Sequence, residues 1–170
     1  MKREFLWLLL CVATGCVAAS PRDRVIDYWA LYYAAKDGNE QLVEALLDRG
    51  APVDALGPDA AGNLSYLAID LDSPLQVAAA NGNVKIVRML LTRKPWIDHR
   101  CCTTPAALGL ATDAGHTEVV RLLLEAGADP SVKSDYGDPA KPETPLEVAQ
   151  RKGHTEITQM LKAAKRPSKP

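Results

Sequence analysis

The 170-residue sequence predicts an all-α solenoid of about four helix-turn-helix repeats with extended finger loops. Two ten-residue segments, 73–82 and 144–153, share one pattern: a hydroxyl residue, Pro-Leu, Val-Ala two positions later, and a closing glycine. A second apolar run follows each segment, at 84–91 and at 157–161. Such self-similarity is the signature of structural repeats that stack into an elongated array.

Composition and charge exclude several classes of protein. Apolar residues make up 47% of the chain and aromatic residues only 5%, which favours closely packed helices rich in Leu, Val, Ile and Ala over a disordered chain. The formal net charge of −1 argues against a nucleic-acid partner, because such proteins carry a basic stripe. We interpret the basic tail at 165–170 as a solvated end.

The first residues are typical of an export signal. Lys2 and Arg3 precede an apolar run at 5–12 that ends in small residues, and this run is too short for a transmembrane helix. A buried first helix of the fold is the alternative, but the run is uniformly apolar whereas surface helices alternate. The sequence therefore predicts a periplasmic protein.

Two forms of the mature protein remain open. Removal of a signal peptide at 1–19, after Val-Ala-Ala, leaves a soluble chain. The segment 13–16, Ala-Thr-Gly-Cys, instead resembles a bacterial lipobox, which would remove residues 1–15 and lipidate Cys16, although Ala13 stands where Leu is usual. In that form the protein contacts the outer membrane through a lipid anchor alone.

Residue types at fixed positions explain the elements of each repeat. Ser73 and Thr144 are placed to cap inner helices, and the proline after each needs no amide donor in the first turn. Glycines are placed to close the inner helices in a left-handed conformation. They are Gly38, Gly82, Gly115 and Gly153. Leu-Leu pairs are placed to bury the outer helices, at 46–47, 90–91 and 123–124.

These repeats resemble the ankyrin repeat, whose core phrase is T-P-L-H-x-A-A-x-x-G, followed by an apolar helix and L-L-x-x-G-A. The resemblance covers residues 29–164 and implies finger loops between repeats and a concave face formed by inner helices. It divides the chain into repeat 1 at 20–54, an N-terminal cap, repeat 2 at 55–98 with a long finger loop, repeat 3 at 99–131, and repeat 4 at 132–164, a C-terminal cap.

The repeats also depart from their own period. The four closing glycines lie 44, 33 and 38 residues apart, which predicts a long first finger at about 52–72 and an insert at 136–143. The first repeat lacks a Thr-Pro start, so its inner helix is predicted to begin near 21–23 and to be long.

The second and third repeats carry two further irregularities. Pro105 comes two residues early relative to the closing glycine, which predicts an inner helix with an extra half-turn. Lys94 precedes a proline where a Gly-Ala pair is expected, which predicts that the outer helix ends there and that the start of the finger is reshaped.

The long first finger is acidic and partly apolar. Alternating residues at 64–71 predict a short strand or hairpin within it. Two interpretations remain open: its apolar residues seal the loop onto the inner helices, or it presents an acidic surface to a protein partner. The candidate partner-binding residues are Asp54, Asp59, Tyr66, Asp70 and Asp72.

The resemblance also implies that the two residues before each closing glycine face the concave side. These further candidates are Lys36, Asp37, Ala80, Asn81, Asp113, Ala114, Arg151 and Lys152. They run from mixed charge to basic, and this asymmetry would orient a partner.

The histidines and cysteines give weaker signals. His116 and His154 each stand in Gly-His-Thr-Glu, which matches the family pattern at the start of an outer helix, so we interpret both as structural. Cys101 and Cys102 are adjacent on the second finger, where a strained vicinal disulfide and two free thiols are the main alternatives. No metal site is expected, because a full set of ligands is not evident.

The sequence therefore predicts an exported, monomeric and non-enzymatic module that binds a protein partner without a cofactor. It contains no recognisable nucleophile–base pair, phosphate loop or zinc motif. Two narrower roles are alternatives: an immunity or inhibitor protein against a secreted effector, and an oxidative-stress accessory protein with a thiol-sensing finger at Cys101 and Cys102.

Overall fold

The computed structural model of the chain describes residues 21–54, 57–58, 64–65, 72–98, 105–136 and 141–164. In these residues eight α-helices form four pairs, which confirms the predicted all-α array. The pairs are α1 (Pro21–Asp37) with α2 (Glu40–Asp48), α3 (Pro74–Ala80) with α4 (Val84–Leu91), α5 (Ala107–Ala114) with α6 (Thr117–Glu125), and α7 (Pro145–Lys152) with α8 (Thr155–Ala163). No helix of this part has the length and apolarity needed to cross a membrane.

The helices form two layers. The inner helices α1, α3, α5 and α7 contact one another in chain order, and the outer helices α2, α4, α6 and α8 do the same. Small residues in the inner layer are fully buried, which lets neighbouring helices approach closely. They are Ala35, Ala79, Ala111 and Ala149. Buried leucines such as Leu31, Leu75 and Leu90 fill the space between the layers, each worth roughly 1.5–3 kcal/mol.

Both predicted caps are present as reciprocal capping boxes. Ser73 Oγ accepts a hydrogen bond from Gln76 N, and Gln76 Oε1 accepts one from Ser73 N at 2.8 Å. Thr144 and Glu147 repeat this arrangement at the start of α7. The hydrogen bond from the Thr144 backbone lowers the pKa of Glu147.

The third inner helix does not have the predicted extra half-turn. It begins at Ala107, eight residues before Gly115, which is also the spacing from Pro74 to Gly82. The preceding residue, Ala106, is extended with ψ of 159°. Pro105 is buried, and its carbonyl oxygen accepts a hydrogen bond from Gln76 Nε2 at 2.9 Å. The prediction was wrong because this residue is held by the second repeat.

Lys94 also departs from the prediction. The glycines that close the inner helices all have positive φ, as expected. Lys94 has φ of 53° and follows α4 at the position that Gly50 and Gly127 take after α2 and α6. The helix ends earlier, at Leu91. The predicted reshaping is wrong at this point, because a lysine adopts the left-handed conformation that glycine supplies elsewhere.

Both predicted inserts contain paired backbone. The first finger includes two short antiparallel strands, β1 (Gly57–Pro58) and β2 (Leu64–Ser65). Strand β2 lies at the start of the stretch 64–71 for which the sequence predicted a strand or hairpin, and the rest of that stretch lies outside the described residues. In the third finger, Ser134 and Glu143 exchange backbone hydrogen bonds of 2.9 and 3.0 Å. This exchange closes the insert at its base.

We expect Lys94→Gly to stabilise the protein by about 0.5–1 kcal/mol, because a left-handed lysine carries a steric cost that glycine lacks. Thr92→Gly is the matched control. Thr92 has φ of −61° and its hydroxyl donates to the Met89 carbonyl oxygen, so glycine there should lower stability. Urea denaturation of both variants measures the difference, and a destabilised Lys94→Gly protein would contradict the assignment.

Candidate functional site

Two carboxylates tie the finger loops of the first three repeats together. Asp54 Oδ1 accepts a hydrogen bond from Trp96 N at 3.0 Å, and Asp98 Oδ1 accepts one from Asp129 N at 2.9 Å. The two acceptors, Asp54 and Asp98, each lie four residues after a left-handed residue, Gly50 or Lys94. The two donors each lie two residues after the corresponding left-handed residue of the next finger, Lys94 or Gly127. We call these two bonds the finger ladder.

Trp96 is an exposed aromatic group on this ladder. Its side chain is 48% exposed, although its amide donates to Asp54. A large aromatic side chain on a fixed backbone loses little conformational entropy when it binds. Sequence reasoning missed this residue. The available signal was an aromatic residue at a position where the neighbouring fingers have Pro52 and Asp129.

Several residues predicted for the concave side bond to one another across repeats. Asn81 Nδ2 donates to the carbonyl oxygen of Lys36 at 2.9 Å. Lys152 Nζ donates to the carbonyl oxygen of Asp113 at 3.0 Å and pairs with its carboxylate at 2.7 Å. These side chains therefore join neighbouring inner helices.

The predicted basic end of the concave face is balanced by carboxylates. Arg151 pairs with Glu143 at 2.8 Å, and this hydrogen bond raises the pKa of Arg151. Lys152 pairs with Asp113. At the opposite end, Asp37 is exposed. The gradient from mixed charge to basic is thus weaker than the sequence alone implies.

Tyr136 covers part of the third inner helix. A side chain at Gly109 would collide with the Tyr136 hydroxyl, so glycine leaves the room that the phenol occupies. Burial raises the pKa of Tyr136 far above its ordinary value, and the charges of Asp113 and Glu143 act in the same direction. The third finger therefore folds back onto α5 with a neutral phenol.

The structural interpretation of the histidines is confirmed for His116. Its Nε2 lies 3.0 Å from the Ala80 carbonyl oxygen, and a Cβ on Gly82 would come within 2.6 Å of its Nδ1. The His154 ring lies against Gly115 in the same way. Its buried Nε2 has no hydrogen-bond partner among the described residues. Those residues also contain no group of three metal-ligating side chains.

The outer helices pair their charges with one another. Their cross-repeat ion pairs are Lys85–Glu40 at 3.1 Å, Arg93–Asp48 at 3.2 Å and Arg88–Glu118 at 2.8 Å. A hydrogen bond from Arg121 lowers the pKa of Glu118. Exposed pairs like these contribute little to stability, because water and salt screen their attraction. Their main effect is on the surface charge: each pair places a positive side chain beside a negative one on the described outer helices.

The remaining predicted site residues are placed less fully. Asp72 is half-buried, and its Oδ1 is buried without a hydrogen-bond partner in the described part of the chain. The other candidates lie outside the described residues. They are Cys16, Asp59, Tyr66, Asp70, Cys101 and Cys102.

Comparison with known proteins identifies the repeat type. A family model described as "Ankyrin repeats (3 copies)" matches residues 5–93 and 31–134. The Caenorhabditis elegans "Ankyrin repeat and KH domain-containing protein mask-1" is 36% identical over 138 residues, 78% of this chain and 5% of that protein. Human "Ankyrin repeat and SOCS box protein 3" is 33% identical over 101 residues, 58% of this chain and 17% of that protein.

A third relative extends the same likeness. The mouse "B-cell lymphoma 3 protein homolog" is 31% identical over 124 residues, which is 71% of this chain and 24% of that protein. The chain thus spans a quarter or less of each of these three relatives. The sequence likeness is therefore confined to a part of each relative.

We expect Asp54→Ala to destabilise the protein by about 1–2 kcal/mol, because the Trp96 amide loses a charged acceptor. Asp54→Asn keeps an acceptor oxygen and should restore most of the loss. Asp48→Ala, which removes an exposed ion pair, is the control and should cost at most about 1 kcal/mol. Hydrogen exchange at the Trp96 amide should accelerate in Asp54→Ala alone, and unchanged exchange there would contradict the ladder.

Proposed function

Because the chain belongs to the ankyrin-repeat family, we propose that it is an exported, non-enzymatic module that binds a protein partner on its finger and concave faces. Ankyrin repeats are protein–protein interaction modules, and stacked repeats offer an extended surface to a partner. The observation that carries the choice of face is Trp96, an exposed indole on a backbone that Asp54 fixes.

The distribution of charge supports the finger side as the place of contact. The outer helices balance their own charges in cross-repeat pairs. The finger ladder instead places the Asp54 carboxylate at the Trp96 amide and the Asp98 carboxylate two residues further along the same finger. A partner with an apolar pocket would match the exposed indole that this backbone presents.

Trp96→Ala should weaken binding of a periplasmic partner at least ~30-fold, about 2 kcal/mol, as expected for a buried aromatic anchor. The partner is first captured from periplasmic extract with the wild-type chain, and its affinity is then measured with purified proteins. Tyr33→Ala is the matched control, because Tyr33 is an aromatic residue of similar exposure, 54%, on α1. Equal loss in both variants, or no loss with Trp96→Ala, would contradict the finger face as the contact.

Export is part of the proposal and rests on Lys2, Arg3 and the apolar run that follows. When the full sequence is expressed in a bacterium, we expect a periplasmic chain that begins at Ser20 or a lipidated chain that begins at Cys16. Intact-mass measurement separates the two forms, and Cys16→Ser should abolish only the second. A chain that keeps residues 1–19 and stays in the cytoplasm would contradict export.

A further inference from the structure

The first helix pair presents apolar side chains at the end of the stack. The described residues include four exposed large hydrophobic side chains, and three of them belong to this pair. Ile26 is 64% exposed, Tyr33 54% and Leu42 43%. The fourth is Trp96 on the second finger. Exposed apolar groups gathered in one place mark an interaction surface rather than ordinary scatter.

Helix α1 has two apolar sides. One side is buried against the stack through Tyr28, Leu31, Ala34 and Ala35. On the other side Ile26, Trp29 and Tyr33 recur at spacings of three and four residues, so they form one stripe along the helix. The Trp29 and Tyr33 rings are stacked, with centroids 6.1 Å apart.

Leu42 extends this stripe onto α2. Glu40 of α2 pairs with Lys85 of α4, and Asp48 pairs with Arg93, two residues after α4 ends, so this side of α2 faces the second repeat. Leu42 and Arg49 lie on another side by helical register, facing away from that repeat. We call the surface formed by Ile26, Trp29, Tyr33 and Leu42 the end face.

The opposite end of the stack has a different character. The exposed residues of α8 include Glu156, Gln159 and Lys162. Terminal repeats need a polar outer side to remain soluble, because nothing packs over them. The last repeat meets this requirement and the first repeat does not. The end face therefore needs a cover.

We propose that the end face binds the end face of a second copy of this chain, so that the mature protein is a two-fold symmetric dimer. This inference rests on the proposed export, which removes residues 1–19 or 1–15 and so most of the segment before α1. The stripe is complementary to itself when two α1 helices pack antiparallel about the point between residues 29 and 30. Ile26 then opposes Tyr33, and the large Trp29 opposes the small Ala30.

Charge at the two ends of the end face is compatible with this arrangement. Arg49 pairs with Asp27 near the start of α1, and Lys36 and Asp37 are both exposed at the other end of the helix. Each of these ends therefore combines one positive and one negative side chain, so an antiparallel pair does not bring like charges together without a partner of the opposite sign. This proposal differs from the monomer that the sequence alone predicts.

The test expresses the full sequence in a bacterium, recovers the form that the cell produces and determines its first residue by intact mass. Light scattering and sedimentation over a concentration series then give the oligomeric state. We expect a dimer for the mature wild-type chain. Ile26→Glu/Tyr33→Glu should raise the dimer dissociation constant at least ~100-fold, which is about 2.7 kcal/mol, with an unchanged circular dichroism spectrum. Trp96→Ala, an exposed aromatic residue away from the end face, should leave the dimer intact.

Three outcomes would overturn the inference. A mature chain that is monomeric at every concentration refutes the dimer while leaving export standing. A dimer that survives Ile26→Glu/Tyr33→Glu, or that Trp96→Ala dissociates, shows that another surface is used. A monomer that retains residues 1–19 refutes export as well, and its own N-terminal segment is then the cover; the family match that begins at residue 5 makes this the main rival.

Discussion

Contact between neighbouring inner helices is the constraint on which the rest of the structure depends. Helices α2 to α8 are only seven to nine residues long, and isolated helices of that length are marginal in water. Each pair becomes stable by burying its alanine-rich surface against the next pair, as Ala79 and Ala111 do. The stabilising contacts are therefore distributed along the array and are not concentrated in one repeat. Disruption of one middle repeat separates the array into two parts that each lack a neighbour.

Polar ties cross the same junctions, and each junction uses a different donor. Gln76 reaches the Pro105 carbonyl oxygen, Asn81 reaches that of Lys36, and Lys152 reaches that of Asp113. In all three hydrogen bonds the acceptor is a main-chain carbonyl oxygen of an adjacent repeat, so these bonds depend on how the repeats are spaced. Lys152 alone of the three donors also pairs with a side chain, the Asp113 carboxylate. This arrangement lets the repeats keep one spacing while their side chains differ.

The sequence predicts well what is decided within a few residues. The caps at Ser73 and Thr144, the left-handed glycines and the long first helix all follow from local residue types. Pro105, Lys94 and Trp96 were misjudged or missed. Pro105 and Trp96 bond to groups 29 and 42 residues away, and local patterns carry no signal for such partners.

In the candidate site, too, local features could be predicted from the sequence and bonds to distant residues could not. Asp54 was selected as a partner-binding residue on charge alone, and the structure gives its carboxylate a second task as the acceptor for the Trp96 amide. Asn81 and Lys152 were placed on the concave side by their distance from a glycine, yet both bond to the preceding repeat. The sequence predicts where in a repeat a residue stands. Which group its side chain bonds to depends on the neighbouring repeat, which the local sequence does not describe.

The finger ladder has a consequence for how such a chain can change over evolutionary time. Asp54 and Asp98 accept hydrogen bonds from the backbone amides of residues 96 and 129, not from their side chains. Any residue except proline supplies that amide. Replacing the side chain at either position therefore leaves the two ladder bonds in place. The Asp129 carboxylate also accepts hydrogen bonds from Ser131 N and Oγ within its own finger, so position 96 is where selection for a new partner can change recognition while the ladder is inherited unchanged.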